Sequence, residues 1–274
     1  MVGVDRRQTE RGRYHLLRDL LYSLLRAIGR HASNFYTAFG IFLISGAALA
    51  IAGTWAFVEV AETVREGETQ AFDNAVLTWM AEHRLLWLER SLIEITALGD
   101  GVVVMVIALI AALFLSITSH RYSAFLLLLA TAGGLALNGL LKQGFARPRP
   151  DIFPWVTEVY SSSFPSGHAM TAAIVYATVA YLAARLEARR WMRYLTMTIA
   201  LILILLICVS RLYLGVHYPS DVLAGLIIGF AWAGFCMAGL EAARVFAERY
   251  GKKRVLEQEQ DLTTQERRAA GLET

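Results

Sequence analysis

The sequence is poor in charge and in cysteine. Only 18% of its 274 residues are Asp, Glu, Lys or Arg, the formal net charge is +3, and the basic residues fall in short clusters between apolar runs rather than along one stripe. A nucleic-acid partner is not expected, because binding a phosphate backbone needs a contiguous basic face. The two cysteines, Cys208 and Cys236, sit inside apolar runs, where a thiol packs as a small hydrophobe. There is no Cys-x-x-Cys pair or Cys/His cluster to build a zinc site, and no internal repeat. Any chemistry has to come from other groups.

What the chain does have is apolar sequence: 56% of residues are hydrophobic and the mean hydropathy is +0.47, well beyond ordinary soluble domains. Runs long enough to cross a bilayer lie at about residues 38–58, 102–118, 122–141, 168–184, 191–209 and 222–240. A span needs about 20 residues. A signal-peptide core takes only about 7 to 15, so the first run is expected to be retained. The fold class expected is all-α, a polytopic membrane helical bundle with about six transmembrane helices plus interfacial helices.

Residues 59–100 mix Phe72, Leu77, Trp79, Trp87 and Leu88 with charges and suit one or two interfacial helices. Leu16, Leu17, Leu20, Leu21, Leu24, Leu25 and Ile28 recur at helical spacing. They predict an amphipathic helix lying on the membrane or on the protein's own flank. Three regions follow: a cytoplasmic N-terminal segment 1–37, a transmembrane domain 38–240 and a polar cytoplasmic tail 241–274.

Seven Arg precede the first span, Arg121 joins the second and third, and Arg185, Arg189, Arg190 and Arg193 join the fourth and fifth. Arg244, Arg249, Lys252, Lys253 and Arg254 follow the last. With alternating crossings all these fall on one side, which the positive-inside rule makes cytoplasmic. The acid-rich 59–100 loop then lies outside, as do three segments that break the pattern of a plain bundle.

Residues 142–150 carry Lys142, Arg147 and Arg149 where positive charge is disfavoured. They are suited to phosphate oxygens, or to snorkelling toward anionic headgroups. Residues 163–168, Ser-Phe-Pro-Ser-Gly-His, lead into a helix whose unpaired N–H groups can bind an anion. Ser166, Gly167 and His168 add a hydroxyl, a close backbone approach and a transferable proton. An ordinary capped turn is the plainer alternative.

Residues 210–221 place His217 just before Pro219 and Asp221 in the opening turn of the last span. Four residues apart, the carboxylate can reach the imidazole and fix its tautomer. Together, two histidines, a carboxylate, several cations and a helix N-terminus fit phosphoryl transfer. The carboxylate cluster of a metal-dependent phosphatase is missing, so no metal and no cofactor are expected.

These segments also resemble the signature motifs of the type-2 phosphatidic acid phosphatase superfamily. Lys142, six residues and Arg149-Pro150 are similar to its first motif and Pro165-Ser166-Gly167-His168 to its second. Ser210-Arg211, five residues, His217, three residues and Asp221 are similar to its third. The resemblance implies that Lys142, Arg149 and Arg211 bind phosphate, with Ser166 and Gly167 in contact with it. It implies that His217 is the nucleophile, oriented by Asp221, and that His168 protonates the leaving group. The motif spacing selects Arg149 over Arg147.

The expected function is an integral-membrane lipid phosphatase acting through a phosphohistidine. Its substrate would be undecaprenyl diphosphate, phosphatidylglycerophosphate or phosphatidic acid. The expected location is a bacterial inner membrane, with the termini cytoplasmic and the site on the periplasmic or extracellular face. A lipid phosphotransferase with the same site and a non-catalytic anionic-lipid binder remain as alternatives. The partners are a phosphorylated lipid and the bilayer, and the oligomeric state is left open.

Overall fold

The computed structural model describes residues 35–155 and 161–269. Among the described residues there is no strand. The helices are α1 (Phe35–Arg65), α2 (Gln70–Glu82), α3 (Leu86–Ala97), α4 (Gly101–Ile117), α5 (Arg121–Gly144), α6 (Gly167–Leu186), α7 (Arg190–Tyr213) and α8 (Pro219–Ala269). The amphipathic segment expected around residues 16–28 lies outside the described residues. The described residues divide into two compact units, one within 45–240 and one formed by 35–44 with 241–269. In the second, the Phe39 and Phe246 rings meet with centroids 6.2 Å apart.

Among the described residues, five helices are long and apolar enough to cross a bilayer: Phe39–Arg65, Arg121–Gly144, Gly167–Leu186, Arg190–Tyr213 and Pro219–Ala247. The expected span at 102–118 is shorter than the others. Helix α4 has 17 residues, about 25 Å at 1.5 Å per residue, against a hydrocarbon core of about 30 Å. It begins abruptly because Asp100 caps it, accepting from Val102 N at 2.9 Å. Helix α3 leads into it through a 54° bend, and only the two helices taken together are long and apolar enough to count as a sixth span. The outer sides of α1, α4, α5 and α7 expose Ile44, Trp55, Ile110, Phe114, Phe125, Leu129, Leu201 and Leu205. Large apolar side chains exposed in such number are stable facing lipid, not water.

Helix α6 runs through the middle of the 45–240 unit and is buried along most of its length. Its neighbours come close because its face is made of small residues, Ala169, Ala172, Ala173 and Ala180, which is how helices pack where lipid removes the hydrophobic incentive. Helix α8 answers with glycine. A Cβ on Gly225 would sit 2.5 Å from Ser166 O, and one on Gly229 would sit 2.8 Å from Met170 O. On another side, Thr171 Oγ1 donates to Gly99 O at 2.7 Å and Tyr176 Oη to Leu98 O at 2.7 Å. These bonds fasten the α3–α4 corner to α6. The N-terminal ends of α6 and α8 are joined directly, with Ser166 N donating to Asp221 O at 3.0 Å.

Gly225→Ala drives a methyl group into a backbone oxygen that cannot swing aside. It is expected to cost about 1 to 3 kcal/mol, read as a lowered melting temperature in detergent. Gly239, on the same helix, has open space where its Cβ would be. Gly239→Ala should leave the melting temperature unchanged or raise it, and an equal drop in both variants would refute the packing argument.

Candidate active site

The site is assembled at one end of the bundle, and the link between α7 and α8 is its centre. After Tyr213 the chain turns on Gly215, whose φ of +72° is a left-handed conformation and whose Cα lies against the Phe153 ring, so a side chain there would clash. Pro219 opens α8 and Asp221 sits in its first turn. His217 is 1% exposed and Asp221 fully buried. His217 Nδ1 stands 3.5 Å from Asp221 Oδ2, an ion-pair spacing longer than a strong hydrogen bond.

Asp221 is held firmly. Its Oδ2 accepts from Tyr218 N at 2.8 Å and from Ser163 Oγ, and its Oδ1 accepts from Arg147 Nη1 at 2.6 Å. On the far edge of the imidazole, His217 Nε2 faces Arg149 Nη1 at 3.4 Å. The Arg149 guanidinium is itself fixed by Val216 O at 2.5 Å, Ser161 O at 2.9 Å and Ser161 Oγ at 3.2 Å. Lys142, in the last turn of α5, reaches the same Ser161 hydroxyl at 2.9 Å.

Arg211 comes from the end of α7. Its Nη1 donates to Thr96 Oγ1 at 2.8 Å, while its Nε is buried without a hydrogen-bond partner. An orphaned guanidinium donor in a cluster of cations is a natural contact for an oxyanion. Ser166 caps α6, accepting from Ala169 N at 3.5 Å. Gly167 lies so close to Asn138 of α5 that a Cβ there would be 2.8 Å from the amide nitrogen. His168, in the first turn of α6, packs beside Gly99 and is within electrostatic reach of His217, Arg211, Lys142 and Arg149. The structure thus gathers all the residues singled out in the sequence at one end of the 45–240 unit.

Arg147 occupies a different place. It lies behind Asp221, with Nη1 on Asp221 and Nη2 on Asp73 Oδ2 at 2.8 Å, and its guanidinium covers the Tyr218 ring at 4.1 Å. Sequence reasoning passed over Asp73, Asn138 and Ser161. For Asp73 a signal existed: it shares the buried face of α2 with Leu77, four residues on, an unusual place for a carboxylate. Ser161 and Asn138 had none. Among the described residues, no group of three or more His, Cys, Asp and Glu side chains could hold a metal ion.

Residues 123–244 match the family model described as the PAP2 superfamily. Over 177 residues the chain is 33% identical to phosphatidylglycerophosphatase B of Bacillus subtilis (strain 168), an alignment covering 63% of this chain and 85% of that protein. The chain belongs to the PAP2 superfamily. Over 118 residues it is 36% identical to a lipid A 1-phosphatase of Rhizobium johnstonii, covering 40% of this chain and 43% of that one. A crystal structure of the transmembrane PAP2-type phosphatidylglycerolphosphate phosphatase from Bacillus subtilis superposes with a TM-score of 0.65 at 29% identity, covering 69% of this chain and 94% of that one. As a PAP2 protein with this set of apolar helices, the chain is an integral membrane phosphatase.

Burial governs the imidazole at the centre of this PAP2 site. Loss of water pushes His217 down to about 4, against the pull of Asp221, while Arg211 and Arg149 push the same way as burial. Burial also lowers Arg149, with Asp221 opposing. Both burial and the neighbouring cations thus favour the neutral imidazole at physiological pH. Histidine-selective 15N NMR, with His217→Asn to assign the signal, should show it titrating near pH 4 rather than near its ordinary 6.5. Between those values the unfolded chain binds the extra proton, so the stability contributed by neutral His217 is complete above about 6.5 and is lost as pH falls toward 4. A midpoint at or above 6.5 would contradict this.

Proposed function

We propose that the protein hydrolyses a phosphomonoester or diphosphate on a membrane lipid through a phosphohistidine. The observation that carries this is the two-sided setting of His217, with Asp221 at Nδ1 and Arg149 at Nε2. A neutral imidazole whose Nδ1–H is turned to the carboxylate presents the Nε2 lone pair to the cations, where a phosphoryl group would be bound.

Nε2 attacks the terminal phosphorus and a P–N bond forms as its bond to the leaving oxygen breaks, that oxygen staying on the lipid alcohol of a monoester or on the lipid monophosphate left from a diphosphate. His168 gives its proton to that oxygen. Water then attacks the phosphohistidine, His168 takes a proton from it, the P–N bond breaks and inorganic phosphate leaves. Arg149, Lys142 and Arg211 balance the charge on the non-bridging oxygens, and Ser166 and Gly167 contact them at the helix N-terminus. Charge stabilisation and positioning carry most of such a reaction, and Asp221 stabilises the imidazolium formed after attack.

The names of the relatives support a lipid phosphate. The chemistry admits phosphatidylglycerophosphate, phosphatidic acid or undecaprenyl diphosphate, all with phosphate at the membrane surface. The catalytic unit is taken as residues 38–240, flanked by cytoplasmic segments 1–37 and 241–274. The distribution of Arg and Lys supports cytoplasmic termini in an inner membrane and a site on the outer face.

Purified protein should release phosphate from at least one of these three lipids, at the same rate with or without EDTA. His217→Asn should lower kcat by at least about a thousandfold, as removal of a nucleophile does elsewhere. Full activity in that variant, or none in the wild type on any of the lipids, would overturn the proposal. Orientation is tested separately. Glu66→Cys, at an exposed position and in a background lacking Cys208 and Cys236, should react with an impermeant thiol reagent on intact cells. Labelling only after lysis would reverse the sidedness.

A further inference from the structure

Behind the nucleophile lies a chain of buried charges that the phosphate chemistry does not use. Asp73 is fully buried, although it comes from α2, in the region outside the motifs. Its Oδ1 accepts from Ser220 N at 3.0 Å and its Oδ2 accepts from Ser220 Oγ at 2.6 Å and from Arg147 Nη2 at 2.8 Å. The other arm of Arg147 donates to Asp221 Oδ1 at 2.6 Å and to Ser220 Oγ at 2.8 Å. Arg147 is thus a two-sided fork with one carboxylate on each arm, and Ser220 closes the square. Asp221 Oδ2 is the oxygen left to face His217.

Resting on the phosphohistidine reading above, we propose that Asp73 and Arg147 are positioning residues for the nucleophile. Arg147 clamps the rear oxygen of Asp221, and Asp73 clamps Arg147, so that the carboxylate can present its other oxygen to His217 in one orientation only. Two carboxylates taken into a low-dielectric interior demand a cation with good geometry. A planar guanidinium supplies in-plane N–H donors from two separate nitrogens, one for each carboxylate, which a lysine cannot. The tie also couples the α2 surface helix to the centre of the site, since Asp73 bonds Ser220 in the first turn of α8.

The charged and titratable groups facing His217 are Asp221 from α8, Arg149 after α5, Arg211 from α7 and His168 from α6. Removing Arg147's positive charge leaves Asp221 and Asp73 uncompensated behind the imidazole. The His217 imidazolium then becomes easier to form, and its midpoint rises.

The test is a double-mutant cycle in the full-length protein in detergent, with Arg147→Gln, Asp73→Asn and their combination. It is read by phosphate release from whichever of the three lipids the wild type hydrolyses and by the His217 NMR titration. Misplacing a reacting group can cost about a hundredfold. The expected result is a kcat lowered about tenfold or more in each single variant with KM within twofold. The combination should be no worse than Arg147→Gln, because Asp73 acts through Arg147. The His217 midpoint should rise in Arg147→Gln.

Multiplicative losses in the combination, or an unmoved midpoint accompanied by a KM-only effect, would overturn the proposal. A lowered melting temperature with unchanged kcat and midpoint would show a purely structural tie and also overturn it. If Arg147→Gln does not fold, Arg147→Lys keeps the charge and loses the fork. A wild-type kcat in that variant overturns the proposal, and a tenfold loss at unchanged KM supports it. Were no lipid hydrolysed by the wild type, the phosphatase reading would fail while the titration still decided the relay.

Discussion

The buried carboxylate of Asp221 is the point on which the candidate active site depends. Its backbone oxygen takes the N–H of Ser166 and so joins α8 to the helix that carries His168. Its side chain takes Ser163, Tyr218 N and Arg147, and leaves one edge toward His217. A carboxylate moved from water into this interior loses hydration that only hydrogen bonds and a paired cation can replace. That requirement draws residues from α2, the link after α5, the lead into α6 and the start of α8 to one place. The same bonds that satisfy the charge also fix the geometry of the imidazole.

Packing makes this convergence possible. The glycines of α8 and the alanines of α6 bring two backbones into contact where the hydrophobic effect offers no gain over lipid. The close approach occurs at Ser166 and Gly225, at the same level as Asp221. The α3–α4 corner is tied to α6 by Thr171 and Tyr176. It carries Thr96, which steadies Arg211. The bend between α3 and α4 is therefore part of the site's construction: a straight helix through residues 86–117 would not offer the Leu98 and Gly99 carbonyls to α6.

Electrostatically the site is a cluster of cations around two histidines, with the balancing carboxylates behind. Lys142, Arg149 and Arg211 share Ser161, Val216 and Thr96 as anchors, neutral groups that orient them without neutralising them. An arrangement of like charges held apart by neutral acceptors favours a bound anion with several oxygens, which is the common feature of the phosphorylated lipids named for the relatives.

Much of this was legible in the chain. Apolar run lengths specify a helical bundle because a backbone in lipid must satisfy its own hydrogen bonds. The motif spacing places Lys142, Arg149, Ser166, Gly167, His168, Arg211, His217 and Asp221 at span ends, and alternating crossings bring those ends to one side. The split between α3 and α4 falls where the sequence started a span at 102 after interfacial helices in 59–100, but the 54° bend between them was not legible, because hydropathy registers length and not the angle at the Asp100 cap.

The parts played by Arg147 and Asp73 were not legible either. Arg147 carries the same Arg-Pro pattern as Arg149 two residues later, and although the motif spacing selects Arg149, it does not show what the other arginine turns toward. Asp73 looks like one more acid in a charged loop until α2 folds over α8. Local pattern determined which residues could do the chemistry. Motif spacing picked Arg149 for the phosphate side, and the tertiary structure alone decided that Arg147 turns the other way to hold Asp221, because burial and partner geometry arise only when distant segments pack together.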